Sequence, residues 1–285
     1  MTVVATVSSA RDFTQLKNKL EQIASRSGAE TGIAIIIDGK DTVTVNNDMR
    51  YPMMSVFKFH QAVAVCHKVE KQNISLDSTM FISKEELPEG TYSPLRDKYP
   101  DGNLNLSIRT LLEYTLLLSD NNACDILFNR IAGVKETDAF IRSLGVNDFS
   151  IVADETGMRK DMSLCYANWS SPLAIAELID MLFTKNILKS EYRDFIIGTM
   201  IKCNTGANRI PSFDHKGNVT VGHKTGTGGR NSEGNIIAVN DAGFVLLPDG
   251  RRFTITVYVK DCTTTVEKAE KIIADVTQCV YDFVS

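Results

Sequence analysis

With 285 residues, 43% of them hydrophobic and 23% charged, the chain has the composition of a globular protein able to form one large domain or two smaller ones. The formal net charge of -4, with no Lys/Arg cluster interleaved with aromatics, argues against a nucleic-acid partner. Apolar runs such as Ile33–Ile37 and Phe244–Leu247 fall far short of the roughly 20 residues that span a bilayer, so no membrane segment is expected.

In chain order, Phe13, Leu16, Leu20 and Ile23 recur at helical spacing from about Asp12 to Ser25, and Gly28 closes that segment. Gly32–Ile37 and Thr42–Val45 read as strands joined at Asp38-Gly39-Lys40-Asp41, a turn composition that predicts a hairpin. The middle is helical in character over Ser55–Lys71, Ser107–Leu118, Asn121–Ile131, Lys135–Leu144, Pro172–Phe183 and Glu191–Met200. Strands return at Val219–His223, Gly234–Val239, Gly243–Leu247 and Phe253–Val259, with Pro248-Asp249-Gly250-Arg251 as a second hairpin turn. A last helix spans about Thr265–Phe283, with Val266, Ala269, Ile272, Ile273, Val276 and Val280 on one side.

This order argues against alternating βαβ units. It favours an α/β architecture in which an antiparallel sheet, assembled from both chain ends and flanked by terminal helices, carries an inserted all-α domain. The expected division is a discontinuous domain of residues 1–50 and 203–285, and a helical domain of residues 51–202. The polar, weakly periodic stretch Asn147–Ser171 stands apart, because a loop that long inside a compact domain is usually functional or disordered.

Three motifs bear on chemistry. Ser55-Val56-Phe57-Lys58 places a hydroxyl and an amine one turn apart on a helix beginning near Ser55. A desolvated lysine that is partly neutral can take the serine's proton and make it a nucleophile. Ser-x-x-Lys is common, however, and a serine at a helix start is usually a cap. Ser119-Asp120-Asn121 lies at a junction between two helices, where capping is again the ordinary role. Lys224-Thr225-Gly226 ends a strand and runs into Thr227-Gly228-Gly229, where small residues allow a ligand close to the backbone. A phosphate-binding loop would need glycine before the lysine and a helix after it, so that reading fails. The histidines His60, His67, His215 and His223 show no metal-ligand spacing, and His60 and His67 suit helix packing or surface positions.

Together and in this order the three motifs resemble the signature of the penicillin-recognising serine enzymes, most closely the class A β-lactamases. The resemblance extends over nearly the whole chain. Asn46–His60 and Ser119–Phe128 are similar to the branch found in Bacteroides-type cephalosporinases. It implies that Ser55 attacks the lactam carbonyl with Lys58 close by, and that the backbone N–H groups of Ser55 and Thr227 form the oxyanion hole. Ser119 and Lys224 would assist proton transfer to the departing nitrogen. Lys224, Thr225, Gly226 and Thr227 would line the substrate's carboxylate end, Asn121 would bond its side-chain amide, and Tyr92 would wall the pocket mouth. Glu155, in the long loop, would activate the water that releases the acyl group, with Asp154 as its rival. Whether lysine or glutamate starts acylation stays open.

The chain also departs from the pattern. Arg159 stands four residues after Glu155 where many class A enzymes have asparagine, and Asn168 stands where an aspartate commonly closes the loop by a salt bridge. An altered loop and a differently held water are therefore expected. Ala242 replaces the common arginine before Gly243, and Arg209 resembles an alternative source of that guanidinium, set against an ordinary surface arginine.

The resemblance implies a β-lactam hydrolase, active especially on cephalosporins and conferring antibiotic resistance, monomeric and without a cofactor. The alternatives are a D,D-peptidase and a β-lactam-sensing domain that acylates without efficient turnover. The segment Met1–Ala10 lacks a signal's basic start and long apolar centre. That leaves a cytoplasmic protein or a mature form, and the substrate class points to the periplasm. Six cysteines, widely spread and without a C-x-x-C, read as buried free thiols.

Overall fold

The computed structural model describes residues 13–213 and 217–285; the expectations placed on Met1–Ala10, on Asp12 and on His215 lie outside them. The chain opens with α1 (Phe13–Ser25), β1 (Glu30–Ile37), β2 (Asp41–Val45) and β3 (Tyr51–Pro52). The central part contains α2 (Phe57–Lys71), β4 (Thr79–Ile82), α3 (Pro94–Lys98), β5 (Leu104–Ser107), α4 (Ile108–Leu117), α5 (Asn121–Arg130) and α6 (Val134–Ser143). It continues through β6 (Phe149–Ser150), α7 (Glu155–Lys160), α8 (Ser163–Ala167), β7 (Trp169–Ser170), α9 (Pro172–Thr184) and α10 (Ser190–Ile201). The chain closes with β8 (Thr220–Thr227), β9 (Ile236–Leu246), β10 (Arg252–Cys262) and α11 (Val266–Val284).

The expected α/β architecture is observed. Five antiparallel strands in the order β2-β1-β10-β9-β8 take the first two from one chain end and the other three from the opposite end. Side chains alternate faces along a strand. Ile33, Ile35 and Ile37 of β1 accordingly join one apolar cluster with Leu16 and Leu20 of α1 and Ile273, Val276 and Val280 of α11, while Ala34 and Ile36 meet Ala176 of α9 on the other face. Both faces are covered, which is why β1 reads as an unbroken apolar run. A second large cluster fills the helical layer around α2 and reaches the sheet at Ala238, Ala242, Phe244 and Tyr258.

Three expectations are corrected. Gly234–Val239 and Gly243–Leu247 are one strand, β9, because Asn240 and Asp241, polar enough to suggest a break, are fully buried within the ladder. Asn240 Nδ2 donates to the carbonyls of Pro52 (2.7 Å) and Met53 (3.2 Å), and Asp241 faces His223. The strand placed at Val219–His223 likewise runs on to Thr227, since β9 pairs with it throughout. The stretch Asn147–Ser171 contains α7, α8 and two short strands rather than being a bare loop.

Candidate active site

Ser55 lies in a single 3-10 turn, Met54–Val56, that leads into α2, so the helix proper starts two residues later than expected. Its side chain caps neither element, which removes the ordinary role for a serine here. The preceding Met54 is held at φ 47°, a conformation unfavourable for a side-chain-bearing residue. Two sheet residues brace that turn. Asn240 holds the Pro52 and Met53 carbonyls that lead into it, and β8 comes so close at Gly226 that a Cβ there would lie 2.5 Å from the Met53 oxygen. Glycine at position 226 is thus a packing requirement.

Lys58, one turn beyond Ser55, is fully buried, and its Nζ donates to Ser55 Oγ (3.2 Å), the Ser119 carbonyl (2.7 Å) and Asn121 Oδ1 (2.6 Å). It also pairs with Glu155 Oε1 at 2.9 Å. These four acceptors outnumber an ammonium's three protons, so the cluster can relay a proton among its members. Ser55 Oγ itself lies 3.4 Å from Glu155 Oε1.

The Ser-Asp-Asn motif divides its labour. Asp120 is the cap: it accepts from Ala123 N (2.9 Å) and from Ser93 Oγ and Leu95 N, satisfying donors at the starts of α5 and α3. Its neighbours face the pocket. Ser119, at φ 59°, offers its Oγ to Lys224 Nζ at 2.9 Å, and Asn121 Nδ2 donates to Thr91 Oγ1. Lys224 is fully buried, and burial together with the nearby Lys58 charge brings its pKa down to about 7.

Glu155 is the first residue of α7. Asp154 is the N-cap of that helix, its Oδ1 accepting from Gly157 N at 2.7 Å, and no contact links it to Ser55. Asp125, unremarked in the sequence, holds the Glu155 end: its two carboxylate oxygens accept from the backbone N–H groups of Glu155 and Thr156, each at 2.9 Å. Burial pushes its carboxyl up to about 6.

Asn168 does the closing work that a salt bridge commonly does at this position. Buried, it accepts from Val152 N (2.8 Å) and Ala153 N (3.1 Å) through Oδ1, and donates to the Ala153 carbonyl (2.8 Å) through Nδ2. Arg159 is exposed and turned away toward Gly90. An Asn168→Ala protein leaves several buried backbone groups unpaired and is expected to lose about 2–4 kcal/mol of stability, read as a lowered thermal midpoint.

Arg209 is no surface residue. Only 4% exposed, it donates to Thr227 Oγ1 (2.7 Å) and the Asn240 carbonyl (2.8 Å) and pairs with Glu270 at 3.1 Å. A cavity of about 360 Å3 opens over these groups, lined by Met54, Ser55, Tyr92, Ser119, Asn121, Glu155, Thr205, Thr225 and Thr227. Tyr92, 57% exposed, stands at its mouth; Lys58, Lys224, Gly226 and Arg209 sit behind the lining. Met54 and Thr205 were not anticipated, and no spacing in the sequence points to them. Among the described residues, no group of three or more His, Cys, Asp or Glu side chains is placed to hold a metal ion.

The chain has clear relatives. Residues 15–284 match the model of the β-lactamase enzyme family. A β-lactamase of Bacteroides uniformis is 40% identical over 282 residues, covering 99% of this chain and 95% of the relative. The crystal structure of the TLA-3 extended-spectrum β-lactamase superposes with a TM-score of 0.93 at 39% identity, covering 96% of this chain and 99% of that one. A class A β-lactamase from Bacteroides cellulosilyticus gives a TM-score of 0.89 at 38% identity, over 94% and 98% of the respective chains. The chain belongs to the β-lactamase enzyme family and is a class A serine hydrolase.

Proposed function

We propose that this β-lactam hydrolase acts preferentially on cephalosporins, through an acyl-enzyme built on Ser55 and cleared by Glu155. The observation that carries the reading is the unbroken contact chain from Ser55 Oγ through Lys58 Nζ to Glu155 Oε1, at 3.2 and 2.9 Å, at the base of the cavity. In acylation Oγ bonds to the lactam carbonyl carbon, and its proton passes to the Lys58–Glu155 pair. The backbone N–H groups of Ser55 and Thr227 receive the charge that develops on the carbonyl oxygen. The C–N bond breaks as Ser119, joined to Lys224, returns a proton to the nitrogen. Glu155 then takes a proton from water, whose oxygen attacks the ester and frees Ser55.

The substrate carboxylate lies against Thr225 and Thr227 with Lys224 behind them, Asn121 bonds the side-chain amide, and Tyr92 borders the entrance. Arg209 acts by aiming the Thr227 hydroxyl. Replacing it with alanine is expected to lower kcat/KM by about 10- to 100-fold, the equivalent of about 1.5–3 kcal/mol, mainly through KM. Lysine should rescue little, because it lacks the planar fork that reaches Thr227 and the Asn240 carbonyl together. Steady-state kinetics on a carboxylate-bearing cephalosporin checks this.

Placement in the Bacteroides-type cephalosporinase branch is supported by the Asn46–His60 and Ser119–Phe128 segments and by the identity to Bacteroides relatives. The division at residues 50/51 and 202/203 is supported by the separate apolar clusters around α2 and around the α1–sheet–α11 layer. A monomer conferring resistance from the periplasm fits a substrate that meets its targets outside the cytoplasm. No described helix is long and apolar enough to cross a membrane. A chromogenic cephalosporin tests the reading: many product molecules per enzyme are expected, whereas one stoichiometric burst would mean a D,D-peptidase or a sensor.

A further inference from the structure

A cluster of polar side chains outside the cavity joins the two walls that flank it. One wall is the Asn147–Ser171 segment, which supplies Glu155; the other is the end of β8, which supplies Thr225 and Thr227. Beyond the cavity the two meet. Tyr166 of α8 donates from its hydroxyl to Asp261 Oδ1, at the end of β10, over 2.5 Å. Asn231, in the loop between β8 and β9, donates through Nδ2 to the Tyr166 oxygen (3.1 Å) and to the same Asp261 oxygen (3.2 Å). The three side chains close a ring in which the phenol gives one proton and accepts another, and the amide uses both of its own.

The ring is built into the backbone on each side. Asn231 Oδ1 accepts from Glu233 N and Asn235 N, each at 3.0 Å, and its backbone N–H donates to the Asn235 carbonyl (2.8 Å), so this residue shapes the very loop that it ties. The root of that loop is stiff. Just beyond Thr227, Gly228 N donates to the Ala238 carbonyl at 2.8 Å, and Ile237 N donates to the Gly229 carbonyl at 2.9 Å. Asp261 is held at φ 49°, a left-handed conformation that a side-chain-bearing residue keeps only where its surroundings enforce it. Its neighbour Lys260 is engaged with Glu30 at 2.7 Å and stands 3.8 Å from Asp261 Oδ2, which leaves Oδ1 to Tyr166 and Asn231. Burial and the hydrogen bond to Asp261 hold the Tyr166 hydroxyl up at about 12, so it stays a donor at neutral pH.

We propose that Tyr166 is a positioning residue that determines specificity: with Asn231 and Asp261 it ties the two walls at a fixed spacing, and so limits the bulk of the acyl side chain a substrate carries between them. This rests on the cephalosporin hydrolysis proposed above, in which Asn121 bonds the side-chain amide and the acyl group beyond it projects between Glu155 and the β8–β9 loop. A small acyl group clears the walls as they stand. A bulky one must part them, and parting them stretches the ring between Tyr166, Asn231 and Asp261. The cost falls on one substrate and spares the other, which is the form that specificity takes. Tyr166 lies outside the cavity lining, so it acts through the spacing and not by touching the reacting atoms.

The test compares kcat/KM for two chromogenic cephalosporins that share a nucleus, one with an acetyl and one with a diphenylacetyl side chain. Tyr166→Phe keeps the aromatic ring and removes the hydroxyl. It is expected to raise the ratio of bulky to small substrate by about fivefold or more, mainly through the KM of the bulky one. Asp261→Asn suits the left-handed backbone but accepts without charge, so it should raise the same ratio by about twofold or more; it decides the matter if Tyr166→Phe does not fold. A merely structural role would lower both substrates alike and leave the ratio where it was. An unchanged or falling ratio in protein that still turns over the small substrate overturns the tether and leaves cephalosporin hydrolysis standing. Absence of turnover of either substrate by the wild-type protein overturns the cephalosporin reading, and this inference with it.

Discussion

A Ser55→Ala protein is expected to take up no cephalosporin mass and to lose turnover by on the order of 10^4-fold or more. The size of the effect follows from what Ser55 does not do. It caps neither the 3-10 turn nor α2, and its contacts are Lys58 and Glu155. Removing its oxygen should therefore leave the thermal midpoint almost unchanged while abolishing the covalent step. Labelling that persists at another residue would take the nucleophile's role from Ser55. A large drop in the midpoint would make the serine structural instead.

Glu155→Gln separates the two halves of the cycle. The amide keeps the shape of the side chain and can still accept from Lys58, but it cannot take a proton from water. Acylation should survive within about tenfold, and release of the acyl group should slow by about 10^2- to 10^4-fold. A stopped-flow trace with a chromogenic cephalosporin should then show one burst per enzyme followed by a nearly flat line. Unchanged steady turnover would require another base. Asp154 is poorly placed for that, because its carboxylate is occupied at the start of α7 and makes no contact with Ser55. Substituting Asp154 should loosen α7 and lower the thermal midpoint, with the chemistry intact.

The contrast between Glu155 and Asp154 marks how far the sequence carries. Periodicity and turn chemistry located the major helices and the Asp38–Asp41 hairpin to within a residue or two, because the helices bury apolar residues that recur at helical spacing. The helices α7 and α8 were not visible, since five or six residues are too few to establish a period. β9 was split in two because Asn240 and Asp241 are polar, and only the fold supplies their buried partners at Pro52, Met53 and His223. The Ser-x-x-Lys, Ser-Asp-Asn and Lys-Thr-Gly motifs meet around one cavity. Asp125 escaped notice because its role is to hold a backbone 30 residues away. Four of the six cysteines are buried free thiols, as their composition and spacing suggested, and Cys203 and Cys279 are half-buried free thiols.

Asn168 illustrates the same limit from the other side. The absence of an aspartate at that position was legible and suggested an altered loop. The side chain's amide instead provides both donor and acceptor to the segment's own backbone, so the base of the loop is tied without a charge. Together with Asp125 at the start of α7, it fixes Glu155 against Lys58 from two independent directions.

The proposed cycle turns on an ester that forms at Ser55 and is then broken by hydrolysis. Time-resolved mass spectrometry of the wild-type protein mixed with a cephalosporin follows both events at once. The expected record is an adduct on the peptide containing Ser55 that appears on mixing and disappears as substrate runs out, leaving unmodified protein and many equivalents of opened product. An adduct that stays at one per enzyme, or that maps to any other residue, would contradict it.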